Sequence, residues 1–251
     1  MRVSDPPGVE ARGSGTVVHF RHTQHLADLV LDEGGRANLT GGGTKTLVTD
    51  ALDISEDVGG VPQATLDLAD NNLIVDYTGR TSPYADVAAW VASGLRGGTN
   101  LYWDGPGITS STAAAATLTA LGVIDNRDTE PGIGGLTDLE GEPVPADSVI
   151  VRYTWWGDAD LDGKVDSNDY DRIDTNWLFQ TPNPRWSMGD FNYDGLIDSN
   201  DYDKIDTAWL LSGGGILADG APMPTPEPAT LSLLALGGLA MAARRRGDSR
   251  G

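Results

Sequence analysis

The chain has 251 residues, which is enough for one large domain or two modest ones. Its formal net charge of −20 argues against nucleic-acid binding, because the recognition of phosphates needs a basic surface. The sequence contains no cysteine, which excludes disulfides, thiolate catalysis and cysteine-ligated zinc. Much of the negative charge is local, since thirteen aspartates lie between residues 158 and 206.

Residues 1–15 contain no continuous apolar stretch, so they do not form a recognisable secretory signal. We predict that they are disordered or are the truncated start of a folded region. At the other end of the chain an uncharged apolar run, residues 229–243, is followed by three arginines, which indicates export. An exported protein needs an entry signal. We therefore expect the chain to be a fragment of a longer protein or to have a misassigned start.

Residues 16–128 are predicted to form an all-β domain. From residue 16 to residue 77, short runs alternate apolar and polar side chains between breaks of Gly, Asn and Asp, which is typical of strands and turns. Pairs of apolar residues recur along these runs: Leu29/Leu31, Leu52/Ile54 and Leu66/Leu68. Their spacing of roughly 20 residues favours the end of a right-handed β-solenoid, and a small β-sandwich is the alternative.

Two helices are predicted at the end of this β-domain, over residues 85–95 and 113–121. Together they suit a cap that closes the open end of a solenoid. Tyr102 and Trp103 lie between them, and we expect both to pack inside the cap; stacking on a sugar ring is the alternative. This organisation resembles the tail of large planctomycete-type surface proteins built from autotransporter-like β-strand repeats.

A linker is predicted over residues 129–147, and a strand over residues 148–156 then leads into an acidic loop. That loop, residues 158–169, recurs 32 positions later as residues 190–201. In both copies oxygen-bearing side chains occupy positions 1, 3, 5, 9 and 12, and glycine occupies position 6. Calcium takes about six to eight oxygen ligands, and glycine permits the turn that brings them together. Each loop is therefore predicted to bind one calcium ion.

A helix is predicted after each loop, with its apolar residues on one face. We expect these two helices to pack together with Trp177 and Trp209 in a small shared core. No helix is predicted before either loop, and position 12 is Asp instead of the Glu that is usual in an EF-hand. In these features and in its duplication, the segment 157–211 resembles a type I dockerin, whose loop–helix repeats (F-hands) bind calcium and dock onto cohesin domains.

The dockerin resemblance implies a role for particular residues within the predicted module, residues 148–212. The implied ligands of the first ion are Asp158, Asp160, Asp162, the Lys164 carbonyl, Asp166 and Asp169. Those of the second ion are Asp190, Asn192, Asp194, the Leu196 carbonyl, Asp198 and Asp201. The implied contacts with a cohesin-like partner, or with another surface docking protein, are Ser167, Asn168, Ser199 and Asn200.

The two implied contact pairs are identical, which would allow the partner to bind in two orientations related by an internal twofold axis. One feature of the helices departs from the dockerin pattern. Dockerin helices usually carry a basic pair, whereas this chain has Asp174-Thr175 and Asp206-Thr207 at those positions. This departure argues against a standard cohesin as the partner.

A second linker is predicted over residues 213–228, followed by an uncharged apolar run, residues 229–243, and by three arginines, residues 244–246. We predict a single membrane helix over residues 229–246, although 15 residues at ~1.5 Å each are short for a ~30 Å hydrocarbon core. The arginines should remain cytoplasmic, which places the preceding residues on the other side of the membrane. A buried core helix is the alternative.

The Pro226-Glu227-Pro228 sequence, the apolar run and the arginines together resemble the PEP-CTERM sorting signal of bacteria. That resemblance implies that a sorting peptidase recognises the signal at the membrane and cuts near the motif. The protein would then be exported to the cell surface or the extracellular space, and the C-terminal helix would anchor it only transiently.

The predicted fold class is a mixed multi-domain chain: an all-β solenoid end with a helical cap, a small α loop–helix pair, and a single C-terminal membrane helix. The predicted function is a non-catalytic cell-surface protein that assembles through a calcium-dependent docking module. The alternative is a dockerin-bearing hydrolase that degrades polysaccharide, with its catalytic domain upstream or within residues 16–127. A pair of carboxylates in a cleft of the β-domain would favour this alternative.

Overall fold

From residue 8 to residue 125 the strands alternate between two sheets, and residues 138–143 form a separate two-stranded sheet. The computed structural model describes residues 6–96, 102–128 and 135–212, all of which belong to one compact unit, Met1–Ala221. The strands are β1 (Gly8–Arg12), β2 (Val17–Phe20), β3 (Gln24–Asp32), β4 (Arg36–Leu39), β5 (Thr46–Ile54), β6 (Thr65–Asp67), β7 (Asn72–Asp76), β8 (Gly107–Thr109), β9 (Thr119–Asp125), β10 (Asp138–Leu139), β11 (Glu142–Pro143) and β12 (Ser148–Trp155). The helices are α1 (Tyr84–Leu95), α2 (Ser111–Ala115), α3 (Ser167–Phe179) and α4 (Ser199–Ser212), with a short 3-10 helix at Trp186–Met188.

The larger sheet has six strands in the order β1-β3-β5-β7-β12-β9, and the smaller has four in the order β2-β4-β6-β8. Neighbouring strands are parallel from β1 to β7 and throughout the smaller sheet. Leu29 lies opposite Leu52, and Leu31 lies opposite Ile54, so the apolar pairs seen in the sequence stack in register. Leu29, Leu31 and Ile54 are buried, which makes this stack part of the core.

The far end of the six-stranded sheet is antiparallel. β12 lies between β7 and β9 and pairs antiparallel with both, with Val149 opposite Val75 and Ile150 opposite Ile124. Every residue of β9 is buried, as expected of a strand that is covered on both faces. α1 packs against β8 and β9.

The predicted fold class is wrong. The described residues are mostly β-sheet with few helices, and the sheet ends in the antiparallel strands β12 and β9 instead of in a helical cap. The strand expected to open a separate α module is β12, an interior strand of that sheet. Periodicity could not reveal this position of β12, because β12 pairs with residues more than 70 positions earlier in the chain.

The predicted membrane helix, residues 229–246, lies outside the described residues. Within the described residues, no helix is long and apolar enough to cross a membrane.

Several local predictions are also resolved. The helix predicted over residues 85–95 is α1. The helix predicted over residues 113–121 is wrong beyond α2, because residues from Thr119 onward form β9, and a short buried apolar run has no period that separates strand from helix. Trp103 is buried, as predicted, whereas Tyr102 is exposed. Residues 8–12, expected to belong to a disordered or truncated start, form the edge strand β1.

Candidate metal centre

The two acidic loops follow different elements but share a set of internal hydrogen bonds. Loop 1, residues 158–169, follows β12, and loop 2, residues 190–201, follows the 3-10 helix. In loop 1 the Asp158 carboxylate accepts hydrogen bonds from the main-chain N–H of Asp162 (3.1 Å) and of Gly163 (2.9 Å). The Asp169 carboxylate accepts from Ala159 (2.7 Å) and Asp166 (2.7 Å). The first and last acidic residues of the loop are thus fixed by its own backbone.

Loop 2 repeats these bonds with a shift of 32 residues. The Asp190 carboxylate accepts from the N–H of Asp194 (3.0 Å) and of Gly195 (3.0 Å). The Asp201 carboxylate accepts from Phe191 (2.9 Å) and Asp198 (3.0 Å). Duplicated sequence therefore produces duplicated geometry, although the two loops have different neighbours.

Both loops turn through left-handed backbone at positions 4 and 6. Leu161 and Tyr193 at position 4 have φ of 58° and 56°, and Gly163 and Gly195 at position 6 have φ of 89° and 83°. Glycine adopts this conformation without steric cost, whereas Leu and Tyr do not. These turns bring the N–H groups of Asp162 and Asp194 back to the residue at position 1 of each loop.

The predicted ligands of loop 1 converge. Asp158, Asp160 and Asp162 each offer a carboxylate oxygen, and these oxygens lie within 4.8 Å of one another. Asp158 is fully buried, and Arg172 Nη2 lies 3.8 Å from the Asp160 carboxylate. In loop 2 the equivalent positions are Asp190, Asn192 and Asp194, so an amide oxygen replaces one carboxylate.

Burial makes these carboxylates difficult to ionise without a cation. It raises the pKa of Asp169 and of Asp190 to about 7, and it raises the pKa of Asp158 well above the ordinary value, with Asp169 adding repulsion. Desolvation also raises the pKa of Asp201. A cluster of oxygen donors that disfavours its own ionised form fits a hard divalent cation such as calcium, which would offset the repulsion.

The remaining predicted ligands lie at the loop exits. Lys164 and Leu196, predicted to offer carbonyls, are exposed at position 7. Asp166 caps α3 by accepting from the Asn168 N–H (2.7 Å), and Asp198 makes the same bond to the N–H of Asn200 (2.7 Å). Position 9 is thus shared between the loop and the helix that follows. The predicted partner contacts form the exposed first turns of α3 and α4: Ser167, Asn168, Ser199 and Asn200.

α3 and α4 are joined by reciprocal contacts. The Tyr170 hydroxyl donates to Asp206 (2.7 Å), and the Tyr202 hydroxyl donates to Asp174 (2.6 Å). Because the start of each helix contacts the later turns of the other, the helices run antiparallel. Adding 32 to residue numbers 170 and 174 gives 202 and 206, so the two bonds relate α3 and α4 by an internal twofold axis.

The predicted shared core of Trp177 and Trp209 is wrong. Their side chains are 55% and 40% exposed, and each ring meets a tyrosine of the other helix edge-on. The large buried apolar residues of the helices are Ile173 and Ile205, which lie against Gly189 and Gly157 respectively. The helices are thus linked by tyrosine–aspartate bonds and by tyrosine–tryptophan contacts, with both tryptophans partly exposed.

Three aromatic residues that sequence reasoning missed attach the loops to the sheet. Trp186 is fully buried, and its Nε1 donates to the Asp158 carbonyl (2.6 Å). Phe191 packs edge-on against Trp186 at 5.1 Å, and the Tyr193 hydroxyl donates to the Leu121 carbonyl of β9 (2.8 Å). The sequence did contain a signal, because loop 2 has Phe and Tyr at the positions where loop 1 has Ala and Leu.

Comparison with known proteins identifies one segment of the chain. Residues 224–246 match the PEP-CTERM protein-sorting motif, as predicted. No curated protein and no solved structure matches the chain. The dockerin-like module, the planctomycete-type origin and the autotransporter-like tail stay predictions, as does the hydrolase alternative. The sorting motif implies export, and the chain is accordingly an exported cell-surface protein with a C-terminal sorting signal.

Proposed function

We propose that loops 1 and 2 each bind one calcium ion, and that the two ions stabilise α3 and α4 as a docking module of a non-catalytic surface protein. The observation that carries this proposal is the shared set of hydrogen bonds in the two loops. In each copy the same backbone N–H groups hold the first and last acidic residues inward.

The donor chemistry supports calcium over softer metals. Each loop supplies only oxygen, from carboxylates and, in loop 2, from an amide, and hard cations prefer such ligands. The buried positions would repel one another when ionised without a cation. Calcium binding is therefore expected to stabilise the loops and the helices whose first turns they form.

The docking role rests on the arrangement of the helices. Ser167 and Asn168 of α3 are related to Ser199 and Asn200 of α4 by the internal twofold, and all four are exposed. A partner, cohesin-like or of another surface docking type, would contact these residues. Export through the sorting signal, which a sorting peptidase would cut, supports a docking role at the cell envelope.

Calcium titration of the full chain by calorimetry tests the proposal. The full chain is needed because Trp186 and Tyr193 attach the loops to β9, so the module is not separated from the sheet. Two bound ions per chain are expected, with magnesium much weaker because it demands a stricter octahedral geometry. Binding of one ion or of none overturns the proposal.

Substituting alanine at position 5 of each loop tests whether that loop binds one of the two ions. Asp162 and Asp194 are exposed, so their removal should disturb packing little. Asp162→Ala and Asp194→Ala should each reduce the stoichiometry from two ions to one. The control is Asp50→Ala, an exposed aspartate of β5, which should leave both sites unchanged. Equal effects of all three variants would contradict the assignment.

A further inference from the structure

The exposed side of α3 and α4 combines aspartates with large apolar side chains. We call the following residues the acidic helix face: Asp171, Asp174, Trp177 and Leu178 of α3, and Asp203, Asp206, Trp209 and Leu210 of α4. Within each helix, residues spaced three, four and seven apart share one side, which places each set together. The tyrosine–aspartate bonds between the helices bring the two sets together.

The basic residues of these helices point away from that surface. α3 and α4 contain two basic residues, Arg172 and Lys204. The Arg172 side chain is only 9% exposed and lies beside Asp160 of loop 1. Lys204 Nζ lies 3.7 Å from the centre of the Trp156 ring, at the side of the helix that faces the sheet. The charges that the acidic helix face presents are therefore negative.

The negative charge of the acidic helix face limits which partners could bind to it. A second copy of the chain would present the same aspartates and carries the same net charge of −20, so it would be repelled. Nucleic acid and anionic lipid surfaces would be repelled for the same reason. Four exposed, sizeable apolar side chains nevertheless lie on this surface, and such patches mark interaction sites.

We propose that the acidic helix face binds a partner protein whose docking surface carries lysine or arginine side chains beside an apolar strip. This inference rests on the proposed docking function and specifies the chemistry of its partner. Tryptophan and leucine would bury apolar area against the partner, while the four aspartates would pair with its cations. Asp174 and Asp206 are held by the tyrosine hydroxyls, so they are pre-oriented for such pairing.

A pair of synthetic helical peptides serves as the probe. One has leucine on one face and lysine on the other, and the matched peptide has glutamate in place of lysine. With the full chain in saturating calcium, the lysine peptide should bind, and its affinity should fall as salt is raised. The glutamate peptide should not bind. Equal binding of both peptides, or no binding of the lysine peptide, overturns the proposal.

Charge reversal locates the binding surface. Asp171→Lys combined with Asp203→Lys should weaken binding of the lysine peptide by about tenfold or more, because both reversals repel its cations. The matched control is Asp50→Lys combined with Asp53→Lys on β5, where both aspartates are exposed. This control should change the affinity by less than about twofold. An equal loss in the two double variants would mean nonspecific charge attraction and would overturn the proposal.

A second variant tests the apolar part of the surface without changing charge. Leu178→Ser combined with Leu210→Ser should also weaken peptide binding, since both leucines are exposed and available to a partner. Calcium titration of every variant separates the two proposals. If two calcium ions bind and the lysine peptide does not, the partner inference fails alone; if no calcium binds, the proposed function fails.

Discussion

Loops 1 and 2 share one hydrogen-bonding pattern but are supported in different ways. Loop 1 has three carboxylates at positions 1, 3 and 5, whereas loop 2 has two carboxylates and Asn192. Loop 1 has the small or aliphatic side chains of Ala159 and Leu161 at positions 2 and 4, where loop 2 has Phe191 and Tyr193. The difference shows that the repeat preserves ligand geometry while the intervening positions adapt each copy to its surroundings.

The aromatic residues of loop 2 also connect the metal centre to the sheet. Tyr193 stacks on Trp186 at 5.6 Å and bonds to β9, while Trp186 bonds to the main chain at the start of loop 1. Both loops therefore depend on one indole ring. We expect the stability of the helix pair and that of the six-stranded sheet to be coupled through this contact.

The largest effect should come from Trp186→Ala. The ring is fully buried between the loops and β9, and its loss leaves a cavity and an unpaired Asp158 carbonyl, costing about 3–5 kcal/mol of unfolding free energy. Denaturant unfolding of the full chain measures this loss of unfolding free energy. Trp177→Ala is the control, since that ring is half exposed and should cost about 1 kcal/mol at most. Equal losses would contradict the central position of Trp186.

Alanine at Gly157 or Gly189 should have the next largest effect. An added Cβ would lie 2.5 Å from Ile205 at Gly157 and 2.7 Å from Ile173 at Gly189, so each helix would be displaced. Gly79 also has a positive φ, but the space around it is open, so Gly79→Ala is the control. We expect the free energy of unfolding to fall by about 1–3 kcal/mol more in the other two variants than in this control. Thermal unfolding compares the three, and a large difference between Gly157 and Gly189 would contradict the internal twofold.

Removing the tyrosine hydroxyls should have a smaller effect. Tyr170→Phe and Tyr202→Phe each remove one hydrogen bond to an exposed aspartate, which should cost about 0.5–1 kcal/mol. The two variants should match each other in chemical denaturation because the bonds are related by the twofold. Tyr102→Phe, at an exposed tyrosine outside the helix pair, is the control and should be neutral.

Asn192→Asp should act on calcium affinity instead of on folding, because it gives loop 2 the carboxylate that loop 1 has. Ligand charge tunes calcium affinity, so the second site should bind calcium about threefold to tenfold more tightly in calorimetry. Asn200→Asp adds the same charge nearby at a position that is not an implied ligand, and should have less effect. If both changes act equally, general electrostatics rather than ligation would explain the gain.

The sequence predicted features that depend on nearby residues. The loop positions, the glycine turns and helix α1 all follow from patterns within about a dozen residues. The insertion of β12 between β7 and β9 depends on contacts between distant segments, which local periodicity does not report. The predicted core of Trp177 and Trp209 is wrong because the size and apolarity of a side chain favour burial in general, whereas these two lie at a surface.

The most direct test of the calcium proposal is a crystal structure of the full chain grown with calcium. Anomalous scattering should show one ion in each loop. The first should be ligated by Asp158, Asp160 and Asp162, and the second by Asp190, Asn192 and Asp194. Anomalous density absent from both loops at saturating calcium, or found only at other sites, would contradict the account.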